Sequence, residues 1–148
     1  DLVGHSHIDT AWLWPMDETI KKIARTAANQ FNLLDQYPEY RFIQSAAYHT
    51  WLMEQHYPQV FRQLQKRVAD GRFELNGAVW VECDCNIPSG ESLVRQFLWG
   101  TRYIRDKFGK EQRVFWLQRH PATDYAGFWC DRIFDYQACL ERYQPLPL

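Results

Sequence analysis

The 148 residues predict an α/β fold, a mostly parallel sheet with helices packed on it. Two observations carry this. Short β-branched or aromatic runs alternate with longer segments of three- and four-residue periodicity, in the order β-α-β-α-α-β-α-β, and strands spaced this way need helical crossovers. The strand-like runs also end at polar side chains, among them His7, Asp9, Glu82, Asp84 and the loop after Leu117. Parallel sheets collect their ligands beyond such carboxyl ends.

Each element has its own signal. A helix is expected over residues 16–34, just after Pro15, with Ile20, Ile23, Ala24, Ala27, Phe31 and Leu34 on one stripe. Asp17 and Glu18 fall in its first turn, where the helix dipole favours negative charge, and Tyr37-Pro38 ends it. Residues 41–46 read as a short strand, 49–55 as a helix, and 58–68 as a second helix with Phe61, Leu64 and Val68 inward and Gly71 as its C-terminal cap. Residues 73–82 read as strand, most clearly at Val79-Trp80-Val81, followed by the loop 83–88. Ser89 is placed to cap a helix over 91–108 that carries Leu93, Phe97, Ile104 and Phe108 and closes at Gly109. Residues 113–117, Arg-Val-Phe-Trp-Leu, form the last expected strand. No internal repeat, low-complexity tract or linker interrupts the series.

Composition narrows the function classes. Length suffices for one domain with a real core, and 46% apolar with 24% charged residues is ordinary for a globular chain. A formal charge of −1 without a basic run argues against nucleic acid and anionic membrane surfaces. No stretch approaches the ~20 apolar residues of a membrane span. The chain opens inside a strand, without a charged-then-apolar leader, so no signal peptide is expected. Cys83, Cys85, Cys130 and Cys139 lack the spacing of a four-thiolate zinc site; free thiols and a cytoplasmic, reducing location are expected. Seven Trp, eight Tyr and nine Phe suit a carbohydrate site, although a core accounts for most of them.

The opening run holds the densest chemistry. Side chains two apart on a strand share a face, so His5, His7 and Asp9 project together if the strand reaches Asp9. Two imidazoles and a carboxylate at a strand end suit a divalent metal, zinc above all. The competing expectation is a His pair satisfied by backbone carbonyls, with Asp9 capping the next helix. H-x-H at the end of a first strand also fits a metal-dependent amidohydrolase or phosphoesterase barrel.

His7-Ile8-Asp9-Thr10-Ala11-Trp12-Leu13-Trp14-Pro15 resembles the first signature of glycoside hydrolase family 38, the α-mannosidases. Tyr37-Pro38-Glu39-Tyr40-Arg41-Phe42 with Gln44-Ser45 resembles its second strand and approach. Gly77-Ala78-Val79-Trp80-Val81-Glu82, Asp84, Asn86 and the run from Pro88 to Gln96 resemble its third-strand motif and following helix. The ordered set spans residues 3–117. The amidohydrolase or phosphoesterase alternative accounts for His5-Ser6-His7 but not for the Thr10-to-Pro15 or Pro88-to-Gln96 runs.

The resemblance implies a parallel (β/α) barrel of seven strands, of which residues 1–117 form the first half, the N-terminal part of the catalytic domain. It implies retaining, zinc-dependent hydrolysis of terminal α-D-mannosyl residues in mannose-containing oligosaccharides. His7 and Asp9 match metal ligands, and Trp12 matches the aromatic residue of the sugar subsite. The resemblance does not extend the ligand set to His5, and it gives Glu82 and Asp84 a place at the cleft without a role. The nucleophile of such enzymes follows the fourth strand in a Trp-Leu-Pro-Asp run. Here Trp116-Leu117 is followed by Gln118-Arg119-His120, and the next acid, Asp124, is too far along to take the part. The second His ligand and the acid/base residue are expected past Leu148. The chain is therefore expected to have no measurable turnover and to bind zinc weakly, and a leftover fragment unable to fold alone is the non-catalytic alternative.

Residues 118–148 match nothing in the family pattern and are expected to be non-native. Codons exist for Cys139 to Pro147 that, read one nucleotide later, give Ala-Trp-Asn-Asp-Ile-Asn-Arg-Phe-Pro, similar to a segment the family carries beyond this strand. Sequencing the coding DNA is expected to reveal family-like sequence in the shifted frame after Leu117; a shifted frame without it refutes the frameshift.

Overall fold

The computed structural model describes residues 3–84, 87–116 and 134–135. Five strands form one sheet in the order β1 (Gly4–His5), β2 (Phe42–Ala46), β3 (Phe73–Val79), β4 (Val114–Phe115), β5 (Phe134–Asp135). The first four are parallel and β5 pairs antiparallel with β4. Helix α1 (Met16–Gln36) joins β1 to β2, α2 (Ala47–His56) and α3 (Pro58–Ala69) join β2 to β3, and α4 (Gly90–Phe108) joins β3 to β4. Parallel crossovers are right-handed almost without exception, so strands added in chain order without reversal keep their helices on one face. That is the geometry of part of an α/β barrel, and it excludes a doubly wound sheet with a switch point among these four strands.

The helices form where their stripes are apolar. Ile23, Ala27, Phe31 and Leu34 of α1, Leu52 and Met53 of α2, Phe61, Leu64 and Val68 of α3, and Ile104 of α4 close on Phe42, Phe73 and Leu75 of the sheet in one core. Pro15 precedes α1 and Pro58 opens α3, where their missing N–H groups cost no helical bond. Ser89 caps α4 by accepting from Ser92 N at 3.3 Å, and Gly109 ends it in the left-handed region at φ 64°. Gly71, also left-handed, follows the end of α3. Among the described residues no helix is long and apolar enough to cross a membrane.

The boundaries depart from expectation where the site is built. β1 ends at His5, so strand alternation does not carry through to His7 and Asp9. α2 begins at Ala47, two residues before the expected start and directly on the end of β2. β3 stops at Val79 rather than Glu82, because it bulges: the step from Gln44 to Ala46 on β2 is matched by the step from Leu75 to Val79 on β3. Gly77 and Ala78 take positive φ, 102° and 55°, to make this excursion. A Cβ at Gly77 would lie 2.2 Å from the Ser45 carbonyl oxygen, so glycine is required there twice over. β4 covers only Val114–Phe115 of the expected strand. The two-residue β5 carries no periodic signal and was not expected; residues 117–133 and 136–148, with Gln118 to His120, Asp124 and the frameshift reading, lie outside the described residues apart from that pair.

Helix α4 approaches the sheet closely enough that Gly100 faces the backbone of Val79 and Trp80. A Cβ there would meet the Val79 carbonyl carbon at 2.5 Å. Gly100→Ala is expected to destabilise the chain by about 1–3 kcal/mol, since backbone rather than a flexible side chain must yield. A lower urea midpoint at unchanged slope checks this.

Candidate metal and sugar site

Beyond the carboxyl ends of β1, β2 and β3, five polar side chains form one connected chain. His5 Nε2 lies 3.0 Å from Ser45 Oγ, and Ser45 Oγ contacts Glu82 Oε1 closely. Glu82 Oε2 lies 2.6 Å from His7 Nδ1, and His7 Nε2 lies 3.0 Å from Asp9 Oδ1. The Glu82 side chain is only 10% exposed, whereas those of His7 and Asp9 are 31% exposed. A nearly buried carboxylate at the hub and a more open His–Asp pair at the rim make a site that faces solvent through that pair.

The loop between β1 and α1 is tied down at several points. Thr10 Oγ1 is 2.9 Å from His49 Nε2, while Thr19 Oγ1 donates to Thr10 O at 3.0 Å and accepts from Trp14 Nε1 at 2.8 Å. Lys22 Nζ sits 4.2 Å from the centre of the Trp14 ring. These bonds hold His7, Asp9 and Trp12 on a loop that lacks strand structure. Trp12 is half exposed. An open cleft of about 390 Å³ beside His7 is lined also by Ile8, Trp14, Lys22, Arg25, Thr26 and Asn29.

On the far side, Glu82 is brought in by backbone clamps. Tyr48 N donates to Trp80 O at 2.8 Å, Trp80 N to Gln96 O at 2.9 Å, and Val81 N to Gln96 Oε1 at 2.8 Å. Tyr48, Trp51, Trp80 and Tyr103 pack ring against ring beneath this segment. Most described aromatic residues thus serve the core and its border. Asp84 turns away to the loop, its Oδ1 accepting from Ile87 N at 3.3 Å.

Two sequence expectations are corrected here. The histidines are satisfied by side chains rather than backbone carbonyls, and Asp9 does not cap α1, whose first turn has no side-chain cap. Nor do His5, His7 and Asp9 form a triad: His5 Nε2 is spent on Ser45 and its ring stands 4.8 Å from that of Trp116. No group of three or more His, Cys, Asp or Glu suited to a metal occurs among the described residues. Ser45 and His49, by contrast, join the site without having been singled out. The register signals Ser45: His5 pairs with Ile43, and Ser45, two residues on, shares its face.

The donor set of His7 and Asp9 fits a cation. Glu82 Oε2 can only accept, so His7 Nδ1 carries a proton and Nε2 of a neutral ring presents its lone pair to Asp9. Two acceptors 3.0 Å apart need either a second proton on the ring or a positive ion held by both. Zinc bonds to N and O of about 2.0–2.2 Å in tetrahedral geometry put neighbouring donors about 3.3 Å apart, close to this separation.

Burial sets the other titrations. It lowers the pKa of His5, a tendency Glu82 opposes and His7 reinforces. It pushes His49 down to about 4, with His7 adding to the effect and Asp9 opposing it. Burial raises the Cys83 thiol, which keeps it protonated and unsuited to nucleophilic attack.

Residues 1–118 match the family model described as the glycosyl hydrolases family 38 N-terminal domain. Similar curated proteins include an alpha-mannosidase of Saccharomyces cerevisiae, 47% identical over 117 residues, and alpha-mannosidase G of Dictyostelium discoideum, 42% identical over 115; each match covers 78% of this chain and 11% of the relative. Alpha-mannosidase 2C1 of Homo sapiens is 43% identical over 114 residues, covering 77% of this chain and 11% of that protein. The chain thus spans about a tenth of the length of these relatives.

The buried His49 links stability to pH. The unfolded chain takes up a proton near 6.5 that folded His49 refuses until about 4, so its contribution is complete above 6.5 and is lost as pH falls between the two. The loss is on the order of 3 kcal/mol, and His5 adds a slope of the same sign. Urea midpoints across this range are expected to fall with pH, and His49→Gln to flatten the dependence.

Proposed function

The chain belongs to glycosyl hydrolase family 38, and on that premise we propose that it forms part of an α-mannosidase catalytic domain, with His7 and Asp9 as zinc ligands and Trp12 against the sugar. The observation that carries this is the contact of His7 Nε2 with Asp9 Oδ1, 3.0 Å apart on the loop after β1, with His7 Nδ1 turned to Glu82. The alpha-mannosidase names of the relatives support the substrate class, terminal α-D-mannosyl residues of mannose-containing oligosaccharides. On this reading β1 to β4 open a seven-stranded barrel, residues 1–117 belong to the catalytic domain, and 118–148 are a separate, non-native tail. Free thiol chemistry at Cys83 supports a reducing, cytoplasmic setting.

The chain's own residues then divide the work. His7 and Asp9 hold the metal, the pinned Thr10–Trp14 loop keeps them in register, and the Trp12 ring orients the pyranose by packing on its apolar face. Bound zinc supplies positive charge that polarises and fixes the sugar hydroxyls. Retaining cleavage further needs two carboxyls about 5 Å apart. Gln118-Arg119-His120 stands where the family pattern carries Pro-Asp, which supports the reading that these 148 residues turn nothing over.

Calorimetric titration with zinc tests the proposal. One weak site is expected, too weak to survive dialysis, since two protein ligands hold far less tightly than three or four. His7→Ala and Asp9→Ala are each expected to abolish it. Zinc uptake unchanged by both variants overturns the assignment.

A further inference from the structure

We propose that Glu82, braced by Ser45, is a positioning residue for His7: it fixes the proton on Nδ1 and the plane of the ring, so that the Nε2 lone pair faces Asp9. The inference deepens the metal reading above and rests on it for its purpose, but its structural content stands on hydrogen-bond direction.

That direction follows from the acceptor-only end of the network. An ionised carboxylate has no proton to give, so both partners of Glu82 must donate to it. Ser45 spends its single hydroxyl proton on Oε1, and must then accept from His5 Nε2–H. His7 gives its Nδ1 proton to Oε2 at 2.6 Å. Both imidazole tautomers are thereby dictated from one buried group, His5 protonated at Nε2 and His7 at Nδ1. A ligating histidine held this way by a carboxylate is oriented and made more basic.

Glu82 is itself held in place. It lies three residues past the end of β3, carried over Ser45 by the bulge at Gly77 and Ala78, and Trp80 and Val81 are pinned by Tyr48 and Gln96. A loop-fixing role would be met by Asp84, whose carboxylate accepts from the loop backbone at Ile87. Glu82 instead spends both oxygens on side chains of the site, one on Ser45 and one on His7.

Glutamine at position 82 makes the test sharp. Its amide keeps the shape but must donate from one end. If the nitrogen faces His7, that ring moves its proton to Nε2; if it faces Ser45, the amide oxygen still accepts from His7 but without the charge, while Ser45 Oγ accepts from the amide. Nitrogen-15 NMR of ring-labelled histidine in the full chain, at about pH 9, well above the ordinary histidine range, reads both tautomers. The expected result is Nδ1–H on His7 and Nε2–H on His5 in the wild type, with the Nδ1–H···carboxylate bond of His7 lost in Glu82→Gln. Zinc affinity is expected to fall about 10- to 100-fold in that variant. Nε2–H on His7 in the wild type, or a folded Glu82→Gln that keeps both tautomers and binds zinc as tightly as the wild type, overturns the proposal. The wild-type spectrum decides by itself should the variant not fold. A wild type that takes up no zinc yet shows both tautomers as stated sinks the metal reading and leaves the positioning role standing.

Discussion

The contact between Gly77 and the Ser45 carbonyl governs how this structure meets its ligand. Parallel strands of equal step would run β3 straight past β2 and deliver alternating side chains to the two faces. Instead β3 takes four residues where β2 takes two, and the surplus is accommodated by positive φ at Gly77 and Ala78. Only a residue without Cβ fits against Ser45 there. The excursion ends the strand early and throws the following segment across the top of β2. Glu82 thereby reaches Ser45 and His7, which lie 37 and 75 residues away in sequence.

What gathers there is an excess of acceptors. Glu82 is nearly buried and reached by Ser45 and His7, while Asp9 meets the other nitrogen of the His7 ring. Burying a carboxylate is costly unless its lone pairs are filled, and Ser45 and His7 fill them. The network ends outward at the His7–Asp9 pair on the rim, an ion pair when the ring is protonated and, on the reading proposed above, the place where a cation would be held. Around it, Thr10, Trp14, Thr19 and His49 replace the ladder bonds that the loop after β1 does not make.

Helices were legible because their signal is local. The Ile23, Ala27, Phe31, Leu34 stripe, the Phe61, Leu64, Val68 stripe, and the Ser89 and Gly109 caps all depend on neighbours within a few turns, and all appear in the structure. Strand ends were less legible. Residues 77–82 are β-rich in composition, yet the chain leaves the sheet at Val79, because the bulge depends on a contact with β2. Alternation from His5 to Asp9 likewise described a strand, but β1 stops at His5 although β2 runs on to Ala46, and side-chain bonds at Thr10, Trp14 and Thr19 hold the following loop instead. Most of the described aromatic residues belong to the core and its border, Tyr48, Trp51, Trp80 and Tyr103 among them, a distinction composition does not make.

The sequence by itself determined the α/β alternation, the helical faces, the parallel character of the sheet and the presence of a His-x-Asp motif followed by Trp after the first strand. Those depend on periodicity and on residue chemistry, which are written along the chain. Tertiary structure decided which of the polar residues touch. It turned His5 away to Ser45, left Asp84 to its loop, and joined Glu82 to His7. Such choices are set by register and backbone approach between distant segments, where a shift of one residue changes the face of every side chain.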